Sequence, residues 1–183
     1  MTRVGTSSGP PAIVTARLRL EPLRPESIRA LIAGDRRSAE RAARVELPAE
    51  FPDAHDVAGF LPVQLRRMEQ APHRTEWTVR LMVLRRPRLA VGHIGFHGPP
   101  ELVGRAEIGY TVFVEHRRRG YATEAVRALV DFAAAQRQPS VFLSIGSSNV
   151  PSLAIARRLG FHQVGVEMDE VDGEELVFEL GLR

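Results

Sequence analysis

Val114-Glu115-His116-Arg117-Arg118-Arg119-Gly120-Tyr121-Ala122-Thr123-Glu124-Ala125 stands where one periodicity gives way to another. Before it, 105–114 (RAEIGYTVFV) is rich in β-forming residues. After it, Ala122, Ala125, Val126, Leu129, Val130, Phe132 and Ala133 form one helical stripe through 119–136. A strand that feeds a helix through a glycine turn lets backbone N–H groups converge at the helix N-terminus. The positive end of the helix dipole adds to them and makes a place for an anion. Three consecutive arginines add charge, and a diphosphate is a natural ligand. Neither GxxxxGK[ST] nor GxGxxG occurs, so this is no Walker or dinucleotide-binding loop. On spacing alone, a solvated basic turn before an amphipathic helix is the competing reading.

Upstream, 16–23 (ARLRLEPL) alternates apolar and polar residues and predicts a first strand. Pro25 opens a helix with Ile28, Leu31 and Ile32 on its apolar face, and 35–46 reads as a second helix. A Pro-punctuated loop covers 47–53. Asp53 then caps a helix through Val57, Leu61, Leu65 and Met68, with Pro62 a kink point. Strand patterns at 76–85, 88–97 and 105–114 follow with short turns, which predicts an antiparallel meander. Downstream come a strand at 140–145, a helix starting at Asn149 or Ser152 and ending at Gly160, and strands at 162–170 and 175–182. Asp172-Gly173 marks the hairpin between these last two. The order β, helices, βββ, α, β, α, ββ makes an α+β domain with helices packed on a mixed sheet.

The chain has 183 residues, 44% of them hydrophobic and 26% charged, which suits a single globular domain. Residues 1–13 read as a flexible leader and 14–183 as the domain. Without cysteine there is no disulfide framework, thiolate zinc site or thiol nucleophile. No apolar run is long enough for a membrane span and no signal-peptide core is present, so a cytoplasmic location fits. All 25 basic residues are arginine, and the net charge is only +3. That balance, without interleaved aromatics around the arginines, argues against nucleic-acid binding. No HExxH motif occurs, so no metal is expected.

Arg117-Arg118-Arg119-Gly120-Tyr121-Ala122 resembles the [QR]-x-x-G-x-[GA] loop of the GNAT family of acyl-CoA N-acyltransferases. The GYATEA wording is similar to the branch that includes the ribosomal-protein N-terminal acetyltransferases RimJ and RimL. Thr15-Ala16-Arg17-Leu18-Arg19-Leu20 and Glu107-Ile108-Gly109-Tyr110 look like that branch's opening and fourth strands. Asn149-Val150-Pro151-Ser152 with Arg158-Leu159-Gly160-Phe161 looks like its N-x-x-S…[KR]-x-G-F segment. Together they cover roughly residues 14–183. The resemblance implies a mostly antiparallel sheet with one splayed strand pair and helices on both faces. Acetyl-CoA would be the donor cosubstrate.

It further implies that backbone groups of Val112, Phe113 and Val114 hold the pantetheine arm in the splay, with an N–H near Phe113 or Val114 meeting the thioester oxygen. The N–H groups of Arg118, Arg119, Gly120, Tyr121, Ala122 and Thr123, with the charge of Arg117, would take the diphosphate. Arg118 departs from the glycine common at its position. Asn149 would bond the pantetheine arm, and Ser152 would donate to the departing thiolate. The tyrosine that many members carry four residues beyond Ser152 is Ala156 here. Glu107 is the leading general base, and His93, His97 and His116 are alternatives because imidazole titrates near neutrality. Trp77 reads as a core residue. The acidic run Glu167, Asp169, Glu170, Asp172, Glu174 and Glu175 is a rim able to steer a cationic amine, or simply a solvated hairpin. The expected activity is acetyl transfer to a primary amine, a peptide N-terminus or small-molecule amine, by direct attack in a ternary complex. The expected assembly is a monomer or homodimer. A non-catalytic acyl-CoA sensor is the rival, motivated by the absent tyrosine.

Overall fold

Leu18 and Leu20 are fully buried while Arg19 between them is not, and this alternation sets β2 (Leu18–Pro22) into a sheet. The computed structural model describes residues 9–169 and 173–182. Among them, β1 (Ile13–Val14), β2, β3 (Val79–Leu84), β4 (Ala90–Phe96) and β5 (Ile108–Val112) form an antiparallel sheet in that order. A second antiparallel sheet runs β6 (Ser140–Gly146), β8 (Gly173–Gly181), β7 (His162–Asp169). The sheets meet where β5 and β6 begin, through one isolated parallel bridge between Glu107 and Phe142. The Phe142 N–H donates to the Ala106 carbonyl at 2.8 Å. Beyond that bridge β5 and β6 part, so the expected splay is present.

One face of the first sheet is covered by α1 (Pro25–Ile32), α2 (Arg36–Ala43) and α3 (Leu61–Gln70). Ile28, Leu31, Leu61 and Met68 pack there with Leu81, Val83 and Phe113. The other face is covered by α5 (Tyr121–Ala135) and α6 (Val150–Arg158), whose Ala125, Val126, Leu129 and Leu153 meet Leu20, Ile94 and Ile108. Trp77 lies in this second core, its ring 4.6 Å from Phe96 and 5.3 Å from Phe132, as its sequence context predicted.

Several local expectations change. The strand expected over 16–23 is β2, and a two-residue strand, β1, precedes it across the turn in which the Thr15 N–H bonds the Leu18 carbonyl at 2.9 Å. Pro11 and Ile13, which the sequence placed in a leader, are tied to the domain: the Pro11 carbonyl accepts from the buried Arg80 guanidinium at 2.9 Å, and Ile13 pairs with Leu20. The helix expected from Asp53 is a π-helical turn (Asp56–Phe60) running into α3 with Pro62 in its first turn. Proline has no N–H to give to an α-helical partner, and the wider turn accommodates that. Asp53 does cap this segment, its carboxylate accepting the Asp56 N–H at 2.8 Å. Residues 75–77 form a 3₁₀ turn instead of strand, and α4 (Pro100–Val103) occupies what read as a plain turn. Of the final hairpin's expected turn, Val171 and Asp172 lie outside the described residues.

Candidate active site

After β5, the chain makes a 3₁₀ turn (Val114–His116) and reaches Arg117 in extended geometry. Arg118 then takes φ 57° and Gly120 φ 80°, two left-handed steps that turn the backbone into α5. Only glycine adopts such angles without a steric cost, which explains the family's glycine at position 118. At Gly120 a Cβ would also come within 3.3 Å of the Arg17 guanidinium. The first-turn N–H groups of Tyr121, Ala122 and Thr123 have no intrahelical acceptor, and no side chain caps the helix. They form the cluster of donors at a helix N-terminus that the sequence pointed to. Arg117 turns back instead, its Nε donating to the Val112 carbonyl at 2.9 Å. Arg118 and Arg119 are exposed.

The pairing of β5 decides which backbone groups enter the splay. The Phe113 N–H donates to Val91 O at 3.0 Å, and the His97 N–H to Glu107 O at 2.9 Å. In an antiparallel ladder, residues alternate between facing one neighbour and the other. Odd-numbered residues of β5 are therefore spent on β4, while Tyr110 presents its N–H and C=O, and Val112 its N–H, to the open side; the Val112 carbonyl on that side is taken by Arg117. This corrects the expectation for Phe113. Its N–H is committed within the sheet, its carbonyl accepts the His116 N–H at 2.9 Å, and its ring is buried 5.2 Å from that of Phe51. Val112 lies on this open edge two residues beyond Tyr110. Val114, in the 3₁₀ turn beyond, is exposed at the mouth.

At the closed end of the splay lies a charged network. Glu107 is buried and accepts from Arg105 Nε at 2.7 Å and from the Ser144 hydroxyl at 2.6 Å. Arg105 also grips Glu167 of β7 with two bonds of 2.6 and 2.8 Å. Burial pushes the Glu107 carboxyl up, but the Arg105 hydrogen bond, the His97 charge and the Ser144 hydroxyl together outweigh it, so the pKa is lowered. Glu167 is held below its ordinary range chiefly by its bond from Arg105. His97 Nδ1 lies 3.7 Å from Glu107 Oε1.

The other expected residues divide. Asn149 caps α6, its Oδ1 accepting the Ser152 N–H at 3.2 Å. Ser152 is half-buried in the first turn of α6, and its side chain opposes the rise that burial imposes on the Tyr110 phenol. No hydrogen bond of normal geometry satisfies that buried hydroxyl among the described residues. Ala156 is fully buried and brings no hydroxyl. His93 is removed from the chemistry: it is buried, stacked 4.4 Å from Phe60, and desolvation lowers its pKa to about 4. The His116 Nδ1 is buried with no hydrogen-bond partner among the described residues. Of the acidic rim, Glu167 is engaged by Arg105, and Glu170 and Asp172 lie outside the described residues.

Sequence reasoning missed a latch on the loop. Glu124 Oε1 accepts from the Thr15 hydroxyl at 2.6 Å and the Arg17 N–H at 2.8 Å, while Oε2 takes Arg17 Nε at 2.6 Å. Arg17 also donates to the Arg119 carbonyl at 2.8 Å and stacks 4.9 Å above the Tyr121 ring. Thr15, Arg17 and Glu124 stand in two of the quoted motifs, but nothing local says that they meet. Beside them, Arg17, Gly120, Thr123, Arg127 and Arg158 line a groove against the start of α5. No group of three or more His, Asp or Glu gathers among the described residues to hold a metal, and no helix there is long and apolar enough to cross a membrane.

Comparison with known proteins agrees with this arrangement. The uncharacterized N-acetyltransferase YoaA of Bacillus subtilis is 32% identical over 77 residues, 42% of this chain and 44% of that protein. The chain thus matches less than half the length of such relatives. An acetyltransferase from Agrobacterium tumefaciens has a TM-score of 0.62 at 26% identity, covering 98% of this chain and 99% of that one. The ribosomal L7/L12 α-N-protein acetyltransferase RimL, solved with coenzyme A, has a TM-score of 0.63 at 14% identity, covering 93% and 98%, a likeness of fold. Residues 17–162 match the acetyltransferase (GNAT) domain, and the chain belongs to that family.

Proposed function

We propose that this chain is an acyl-CoA-dependent N-acyltransferase that moves acetyl from acetyl-CoA to a primary amine by direct attack in a ternary complex. The observation that carries this reading is the opening between β5 and β6, with the uncapped N-terminus of α5 at its mouth. The residues present fit the donor. The N–H groups of Gly120, Tyr121, Ala122 and Thr123 suit the diphosphate, and the groove with Arg17, Arg127 and Arg158 suits the nucleotide end. Tyr110 N–H and C=O and the Val112 N–H offer the pantetheine arm a strand edge, and Asn149, the N-cap of α6 just after β6, would bond the arm. One N–H on that edge, at Tyr110 or Val112, would meet the oxyanion; such a donor is worth about 3 kcal/mol. Ser152 would protonate the departing thiolate. A thiol of pKa near ~8.5 is a tolerable leaving group even unaided, so the alanine at position 156 does not forbid turnover. The acceptor would be a peptide N-terminus or small-molecule amine, and the working unit a monomer or homodimer in the cytoplasm.

The test is a thermal-shift titration with acetyl-CoA, succinyl-CoA and free CoA, followed by thiol release with a panel of primary amines. A ligand at 100 times its Kd adds about 2.7 kcal/mol of stability. Stabilisation with amine-dependent thiol release supports the reading. Stabilisation with no release from any amine favours the acyl-CoA sensor, for which the absent tyrosine speaks. No stabilisation removes both.

A further inference from the structure

Glu107 has the position of a base but not the freedom of one. Each of its oxygens already accepts a short bond, Oε2 from Arg105 and Oε1 from Ser144, and both partners stabilise the charged form. A carboxylate so held is a weak proton acceptor. Next to it stands a group without those bonds. The His97 side chain is 43% exposed and takes part in no hydrogen bond of normal length among the described residues that would fix its ring nitrogens. Its backbone is pinned by the 2.9 Å bond to Glu107 O, which places it at the closed end of the splay. Its ring lies over Gly109 of β5: a Cβ there would approach Nε2 to 2.8 Å. The missing side chain at Gly109 is what makes room for the imidazole. Ile108 points into the α5 and α6 core, so Glu107 and Gly109 share the opposite, α3 face, and His97 lies with them.

An acyl arm that enters at the α5 loop and follows β5 along Val112 to Tyr110 has its tip next to this closed end. We propose that His97 is the general base of the transfer, with Glu107 a positioning residue whose carboxylate, 3.7 Å from Nδ1, favours the Nδ1–H tautomer, so that Nε2, on the Gly109 side, carries the lone pair. The inference rests on the acyltransfer reading above. His97 Nε2 takes one proton from the bound ammonium. The freed amine lone pair forms the C–N bond at the thioester carbonyl, and the C–S bond breaks with its electron pair on sulfur. Ser152 gives its hydroxyl proton to the thiolate and takes the second amine proton in its place. His97 then releases its proton to solvent, so acetyl-CoA and ammonium give amide, CoA thiol and one proton.

The charges around His97 fit this task. Burial lowers its pKa, Glu107 opposes that, Arg67 of α3 and Arg105 add to the lowering, and Asp169 of β7 opposes it. The net is below the ordinary imidazole value, so the ring is neutral and basic at pH 7.

The experiment compares wild type with His97→Gln and Glu107→Gln, using acetyl-CoA with spermidine and with a lysine-free peptide bearing a free N-terminus. His97 is partly exposed, so His97→Gln is expected to fold, with an unchanged acetyl-CoA thermal shift. Its kcat at pH 7 is expected to fall about 100-fold or more. The wild-type kcat should decline as pH falls through the His97 pKa, below 6.5. In His97→Gln that limb should give way to a steady rise with pH, because only pre-formed free amine reacts. Imidazole-ring NMR of the protein without ligand gives a readout independent of activity. His97 should titrate below 6.5, and lower still in Glu107→Gln, since the carboxylate raises it. Near-full activity in His97→Gln with the acidic limb intact overturns the proposal and returns the role to Glu107. An unmoved His97 titration in Glu107→Gln overturns the positioning role. Wild type that binds no acyl-CoA, or that releases no thiol with either amine, overturns the acyltransfer reading itself and this inference with it.

Discussion

Arg118 occupies a backbone position with φ 57° that favours glycine. A left-handed conformation costs a side-chain-bearing residue about 1–2 kcal/mol, while glycine loses roughly 0.5–1 kcal/mol of extra chain entropy on folding. Arg118→Gly is therefore expected to raise stability by up to about 1 kcal/mol, a few degrees in Tm. Its Kd for CoA should stay within about threefold if the diphosphate contacts are made by backbone N–H groups; a larger loss, measured by calorimetry, would show that the guanidinium itself binds. His93 presents a different single-residue effect. Its folded pKa is about 4 against an ordinary 6.5. The unfolded chain therefore binds the extra proton between those values. Stability from this group is complete above pH 6.5 and declines as pH falls, by about 3 kcal/mol at pH 4. His93→Phe keeps an aromatic ring against Phe60 and has nothing to protonate. Its Tm should fall less between pH 7 and pH 4 than that of wild type; parallel curves would mean that His93 titrates normally. Nothing in the sequence distinguishes His93 from His97, four residues on. They differ in surroundings: aromatic rings enclose one, while the other lies over a glycine beside a carboxylate.

Helix α5 was the most legible element. Its stripe predicted a helix over 119–136, and Tyr121–Ala135 is found with Ala122, Ala125, Val126, Leu129 and Ala133 buried. Apolar residues at helical spacing are a local signal, read over four turns. β1 and α4 lacked such a signal: β1 is two residues held by pairing with β2, and α4 is one turn between prolines and Gly104. What fixes the start of α5 was equally unreadable, because Glu124 lies more than 100 residues from Thr15 and Arg17. Removing that carboxylate leaves the Thr15 hydroxyl, the Arg17 amide and its guanidinium without their acceptor. Glu124→Ala is expected to cost about 2 kcal/mol in thermal or urea unfolding. It should also weaken CoA binding several-fold, because Arg17 no longer braces the Arg119 carbonyl. Lost stability with unchanged CoA affinity would make the latch a structural tie alone.

Across the whole molecule, the same architecture that opens the site leaves its two sheets weakly joined. Among the described residues, one parallel bridge connects them through the backbone. Arg105 reinforces it with side-chain bonds to Glu107 before β5, Ser144 on β6 and Glu167 on β7. The strand order and the loop were visible in the chain because each is written in local periodicity and turn residues. This junction was not, since three segments supply one residue each and Arg105 read as an ordinary strand arginine. The Phe113 assignment failed for a related reason: which strand edge a residue presents depends on register, and register is set by the partner strand. Arg105→Met keeps the aliphatic bulk while removing the charge that Glu107 was buried with. An uncompensated buried carboxylate costs about 3–5 kcal/mol, so the variant should lose roughly 3 kcal/mol at pH 7. In wild type, the depressed Glu107 pKa contributes stability above the ordinary 4.5 that is lost as pH falls through the folded value. In the variant, burial dominates, the folded pKa rises, and protonation relieves the penalty. The gap between the two proteins in urea denaturation should therefore be widest at pH 7 and narrow towards pH 4. Amide exchange in β6 and β8 should quicken more than in β2 to β4, because the junction and not the first sheet is what loosens. An equal gap at both pH values would locate the loss in packing, and uniform exchange would mean the two sheets unfold as one unit despite their single bridge.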